Sequence, residues 1–270
     1  MNLNTIVEVK RPHSVEQLDW REGHAWLAGG TWLFSEPQVA VDTLVDLEAL
    51  GWPALVASPA GLEIAATCKI AELHAFRGPP DWQAVPLFGR CIDAFLMSFK
   101  IWNAATVGGN LCMSLPAGAM ISLTAALEGV CTLWPRSGQP RQMPVVDFVT
   151  GNHQNVLQPG ELLRSIHLPA SALRKRFAMR QVSLTHLGRS AALIVATVGD
   201  DGADFLLTIS AATPRPVHLR FARTPSATEL QRTIDAHLPA DAWFQDVHGS
   251  GAYKRHVTHY LADQIRAELS

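Results

Sequence analysis

Residues 101–112 read IWNAATVGGNLC, a run of small residues that places Gly108 and Gly109 side by side just before Asn110. Paired glycines present backbone N–H groups with no side-chain bulk, which suits a tight turn or the close approach of another group. Upstream, Leu87, Cys91, Ala94, Phe95 and Phe99 recur at a spacing near 3.6, so 86–99 is predicted to be the helix that delivers the chain to this stretch.

A second pair lies in LAGGTWL (27–33), where the apolar run 25–28 predicts a strand ending at Gly29, Gly30 and Thr31. Successive N–H groups at such a turn form a nest for phosphate oxygens. Read together, Gly29-Gly30-Thr31 and Thr106-Val107-Gly108-Gly109-Asn110 can hold a pyrophosphate from two sides with neutral donors, and Thr31, Thr106 and Asn110 add side-chain donors. The GxGxxG dinucleotide fingerprint is absent.

Around these turns, strands are predicted over 6–9, 43–47, 62–66, 130–134 and 162–168, with helices over 69–75 and 121–127. The basic cluster Arg174-Lys175-Arg176 marks a change of character, and a lobe boundary is expected near 170. Beyond it, strands over 191–198 and 205–211 and helices over 228–237 and 253–269 predict a small sheet with helices on one face.

The 270 residues are 48% hydrophobic, enough for a sizeable core in one or two lobes. Only 17% are charged and the net charge is -2, which disfavours a nucleic-acid partner, since that needs a basic stripe. No apolar run approaches the roughly 18 residues of a membrane span. The start MNLNTIVEVKRPHS has no basic segment followed by an apolar one, so a soluble, unprocessed chain is expected. Cys68, Cys91, Cys112 and Cys131 form no CxxC pair and read as buried, reduced thiols rather than ligands of zinc or an iron–sulfur cluster. His256 and His259 share a helix face without a third ligand, Arg189 in HLGRSAAL reads as an exposed loop residue, and no catalytic Ser/His/Asp set has support in the spacing.

The pieces LAGGTWL (27–33), LVDLEAL (44–50), LEIAATCKIAEL (62–73), IWNAATVGGNLC (101–112), RQMPVVDFVTGN (141–152), LQPGELLRSIHLP (157–169) and SGAYKRHVTHYL (250–261) resemble, in order and spacing, the FAD-binding medium subunit of the molybdenum hydroxylases, the xanthine dehydrogenase and carbon monoxide dehydrogenase type. The resemblance implies an α+β fold: a two-part FAD-binding domain of the vanillyl-alcohol oxidase (PCMH) type over 1–169, with subdomains of about 1–57 and 58–169. A smaller α+β domain over 170–270, like the C-terminal domain of the carbon monoxide dehydrogenase flavoprotein, would follow. It further implies FAD in this chain, its pyrophosphate between Ala28, Gly29, Gly30 and Thr31 on one side and Thr106, Gly108, Gly109 and Asn110 on the other, and it puts Arg189 and Ser190 where some relatives approach the flavin, as the alternative to the exposed-loop reading. Electrons would come from a [2Fe–2S] subunit, fed in turn by a subunit with the molybdenum cofactor, and leave to NAD⁺, oxygen or a quinone-linked acceptor. The assembly would be cytoplasmic, or periplasmic if a signal-bearing partner exports it.

Three positions depart from the family pattern. Trp32 stands where an Asp often follows GGT, Trp102 where an Arg precedes the Asn, and Ala119 where an Asp meets FAD hydroxyls. Losing a charged hydrogen bond costs about 1.5–3 kcal/mol. Unless Ser114, Ser122 or another group compensates, these departures motivate the alternative of an FAD-free scaffold subunit of the same complex.

Overall fold

Thr43, Leu44 and Val45 are buried, as befits the middle strand of a small parallel sheet. That sheet holds β1 (Glu8–Lys10), β2 (His24–Leu27) and β3 (Thr43–Asp46) in the order β1-β3-β2. The computed structural model describes residues 3–270, so the first two residues of the expected 1–169 domain lie outside the described residues.

A five-stranded antiparallel sheet follows, built from β4 (Leu55–Ser58), β5 (Gly61–Ala65), β6 (Val130–Trp134), β7 (Arg141–Pro144) and, after the small hairpin β8 (Val149–Gly151) and β9 (Gln154–Asn155), β10 (Leu162–Pro169). Its order is β4-β5-β10-β6-β7. Between β5 and β6 run α1 (Ile70–Ala75), α2 (Pro86–Asp93), α3 (Phe99–Trp102), α4 (Val107–Met113) and α5 (Ala119–Ala126), and α6 (Val145–Phe148) follows β7. The helix expected over 86–99 stops at Asp93; Leu96 then takes a left-handed φ of 54°, which breaks the helical ladder before α3 begins.

After α7 (Ala170–Leu173), β11 (Arg176–Val182), β12 (Ala192–Val198), β13 (Ala203–Ser210) and β14 (Val217–Arg223) form an antiparallel meander, covered by α8 (Ala227–His237) and α9 (Gly251–Glu268). Side chains of β12 alternate between two cores. Leu193 and Val195 join the core built mainly from residues 62–179, whereas Ile194, Ala196 and Val198 pack with Leu230, Ile234, Leu261 and Ile265 of α8 and α9.

Every residue of α5 is buried, as expected of a helix apolar on all sides. It packs on α2, α4 and α6 and also on β12 and β13, so it lies between the two layers. Ser122 meets Ser210 of β13 Oγ to Oγ at 2.6 Å. No described helix is long and apolar enough to cross a membrane.

Candidate functional site

The two glycine stretches meet backbone to backbone. A Cβ on Gly29 would sit 2.0 Å from the carbonyl oxygen of Ala104, and one on Gly30, at φ 68°, would sit 2.5 Å from the Phe34 ring. Only residues without a side chain allow this closeness. The contact walls a cavity of about 360 Å³. Seven of the eight residues expected to hold a pyrophosphate line it: Ala28, Gly29, Gly30, Thr31, Thr106, Gly109 and Asn110.

Gly108 does not line it. Its N–H donates to the Ala66 carbonyl at 3.0 Å, and a Cβ there would fall 2.5 Å from the Ala66 Cβ. Gly108 therefore lets α4 lie against the end of β5, one layer behind the cavity.

The two stretches differ in the donors they leave open. At the first, the N–H groups of Gly29, Gly30, Thr31, Trp32 and Leu33 donate to no group among the described residues. Five successive amides on residues that line the cavity are thus left without a protein acceptor, the kind of donor set from which an anion nest is built. The second stretch is not the expected open turn but the start of α4, with Thr106 as its cap. Its amides are committed: Val107 donates to Cys68 O, Gly108 to Ala66 O, Gly109 to Thr106 Oγ1 at 3.0 Å and Asn110 to Thr106 O. Asn110 Oδ1 in turn accepts from the Met120 N–H at 3.0 Å, which caps α5. Its Nδ2 remains without a partner among the described residues and, with the Thr106 hydroxyl, is a donor this wall can offer.

Sequence reasoning left open whether serines replace the missing acidic groups, and the structure answers it. Ser114 Oγ donates to Leu111 O, and Ser122 Oγ is bonded to Gly118 O and Ser210; both residues are fully buried, so neither faces the cavity. Ala119 is likewise fully buried. Trp32 lines the cavity, its ring centroid 5.5 Å from that of His153, while Trp102 packs tilted against His74 with ring centroids 5.0 Å apart.

One further contributor carries two readings in the sequence, an exposed loop residue or part of a segment that in some relatives approaches the flavin. Arg189, between β11 and β12, lines this cavity and also an adjoining one of about 560 Å³. Composition and spacing in HLGRSAAL do not decide between the two, because the loop reaches the site through the placement of the third sheet. Cys112 also lines the cavity, and burial pushes its thiol up to about 12, which keeps it protonated and unreactive at neutral pH. Among the described residues no group of three or more His, Cys, Asp or Glu could hold a metal ion.

Residues 7–171 match the family described as the FAD binding domain in molybdopterin dehydrogenase. The beta subunit of caffeine dehydrogenase from Pseudomonas sp. (strain CBB1) is 27% identical over 119 residues, 44% of this chain but only 38% of that relative. Among solved structures, quinoline 2-oxidoreductase from Pseudomonas putida 86 superposes with a TM-score of 0.80 at 16% identity, over 100% of this chain and 98% of that one. Carbon monoxide dehydrogenase from Oligotropha carboxidovorans gives 0.80 at 18% identity, over 99% of each chain. At such identities the likeness speaks for a common fold, and the family match covers the part of the chain that builds both glycine stretches. The chain therefore belongs to the family described as the FAD binding domain in molybdopterin dehydrogenase.

Proposed function

We propose that this chain is the electron-transfer flavoprotein subunit of a hetero-oligomeric molybdenum hydroxylase. It takes electrons from a partner with [2Fe–2S] clusters, itself supplied by a subunit with the molybdenum cofactor, and passes them to NAD⁺, oxygen or a quinone-linked acceptor. The observation that carries the reading is the run of five unpaired amides, Gly29 to Leu33, on the wall of a cavity whose glycines exclude side chains. That chemistry fits a pyrophosphate: neutral, fixed donors at a site of negative charge. Bound FAD supplies the redox chemistry, and the protein supplies position and electrostatics.

In this reading Ala28, Gly29, Gly30 and Thr31 hold the pyrophosphate from one side. Thr106, Gly109 and the Nδ2 of Asn110 shape the other wall, and Gly108 supports it from behind. We place the division between an FAD-binding domain and a C-terminal domain at residues 169 and 170, with subdomains meeting near residue 57, and assign the assembly to the cytoplasm unless a partner carries an export signal.

The test is the flavin content of the purified chain, alone and with the products of neighbouring genes, by absorbance and acid release. About one FAD per chain is expected. Gly109→Val pushes a branched side chain into the cavity, with Thr106 Oγ1, 2.8 Å from its Cβ, as its one close neighbour. Flavin retention should fall at least tenfold while circular dichroism stays native; full retention would reject this site. No flavin in either wild-type preparation would favour the FAD-free scaffold, the reading that Trp32 in the cavity and the buried Ala119 support.

A further inference from the structure

Arg189 is the only formally charged residue among those lining the amide-walled cavity, and it makes no ion pair or hydrogen bond among the described residues. The adjoining cavity holds one carboxylate, Asp246, which is paired at 2.9 Å with the fully buried Lys254. The positive charge of Arg189 is thus uncompensated at a site built from neutral donors.

Its backbone is also well anchored. Ser190 is buried and its Oγ accepts from Gln181 Nε2 at 2.9 Å; the Gly188 N–H donates to Thr185 O, and the Ala191 N–H to Val182 O. The base of the side chain is therefore held by β11 and its loop, while Arg189 itself is exposed and lines the cavity.

We propose that Arg189 is a pyrophosphate-binding residue contributed by the third sheet, supplying the countercharge that the amides of Gly29 to Leu33 lack. The inference rests on reading the cavity as a dinucleotide site. Backbone amides fix the position of the phosphates but carry no net charge, and a guanidinium pairs with phosphate oxygens through a planar fork. The cavity would thereby be completed only when the loop between β11 and β12 is in place.

The experiment compares wild type, Arg189→Gln and Arg189→Lys for binding of three probes: FAD, ADP, which carries the pyrophosphate without a flavin, and riboflavin, which carries no phosphate. Thermal melts check that each variant is folded. At low salt, Arg189→Gln should weaken ADP and FAD alike by about tenfold or more, as loss of a charge-assisted bond does. High salt should narrow the gap, Arg189→Lys should recover part of it, and riboflavin should bind as before. Unchanged ADP binding in Arg189→Gln would overturn the proposal, and a shifted flavin potential with ADP unchanged would move the charge to the ring. If wild type binds ADP but not FAD, and Arg189→Gln still weakens ADP, the flavin reading fails and this inference stands. Binding of neither overturns both.

Discussion

Gly29 and Gly89 show how differently two glycines answer the same substitution. A methyl on Gly29 meets the Ala104 carbonyl oxygen at 2.0 Å, a backbone atom that cannot step aside alone. Gly29→Ala should cost about 3 kcal/mol, the scale of an overpacked core, and distort the cavity. Gly89 lies inside α2 with nothing within 4 Å of its missing Cβ. Gly89→Ala should instead stabilise by about 0.5–1 kcal/mol. Urea melts of both variants read the two signs. At this scale the sequence was legible where the requirement was an absent side chain. Seven of eight expected residues line one cavity, yet nothing in VGG distinguishes Gly109, which faces it, from Gly108, which faces Ala66.

Secondary structure was readable where burial imposes a period and unreadable where long-range contacts override propensity. The strand over 130–134 is found as expected, and α5, β10, β12 and α8 differ from expectation by a residue or two. Two adjacent glycines argue against a helix at about 1 kcal/mol each, so α4 was invisible. It forms because Thr106 caps it and because Ala66 and Cys68 accept its first N–H groups. The strands β11 and β14 were missed as well, since their arginines and the half-buried His218 mask the alternation.

His218 of β14 ties that strand to α5, its Nε2 lying 3.0 Å from the Ala125 carbonyl oxygen. Burial lowers its pKa below the usual imidazole value of 6.5, with Arg220 adding to the effect and Glu128 and Asp147 opposing it. The unfolded chain therefore takes up a proton before the folded one, and stability falls as pH drops below about 6.5. His218→Gln keeps a donor for Ala125 without a titrating ring. Melting temperatures from pH 8 to pH 5 should decline less steeply in this variant, and equal slopes would remove His218 as the cause.

For the whole molecule, the decisive contacts join layers that are far apart in sequence. Lys175, at 7% exposure, bonds Glu128 at 2.7 Å and Asp204 at 2.6 Å, and Arg220 pairs with both of the same carboxylates. Lys175→Met leaves those carboxylates close together with one cation fewer. It should lower stability by about 2–3 kcal/mol, with calorimetry still giving a single transition because both layers share α5. The expected boundary near 170 marks where the chain changes sheets, but Met179, Leu193, Val195 and Ala211 beyond it pack into the core that precedes it. No local pattern carries that information, since it depends on which face of β12 meets α5. The same arrangement sets a delay during synthesis. Residue 126 completes α5, but its partner strand β13 ends only at Ser210, 84 residues later. At roughly 5–20 residues per second, the face of α5 that meets β13 stays uncovered for about 4–17 s while the ribosome works, although α2 and α4 already flank the helix. That interval is when the nascent chain has most to gain from a chaperone.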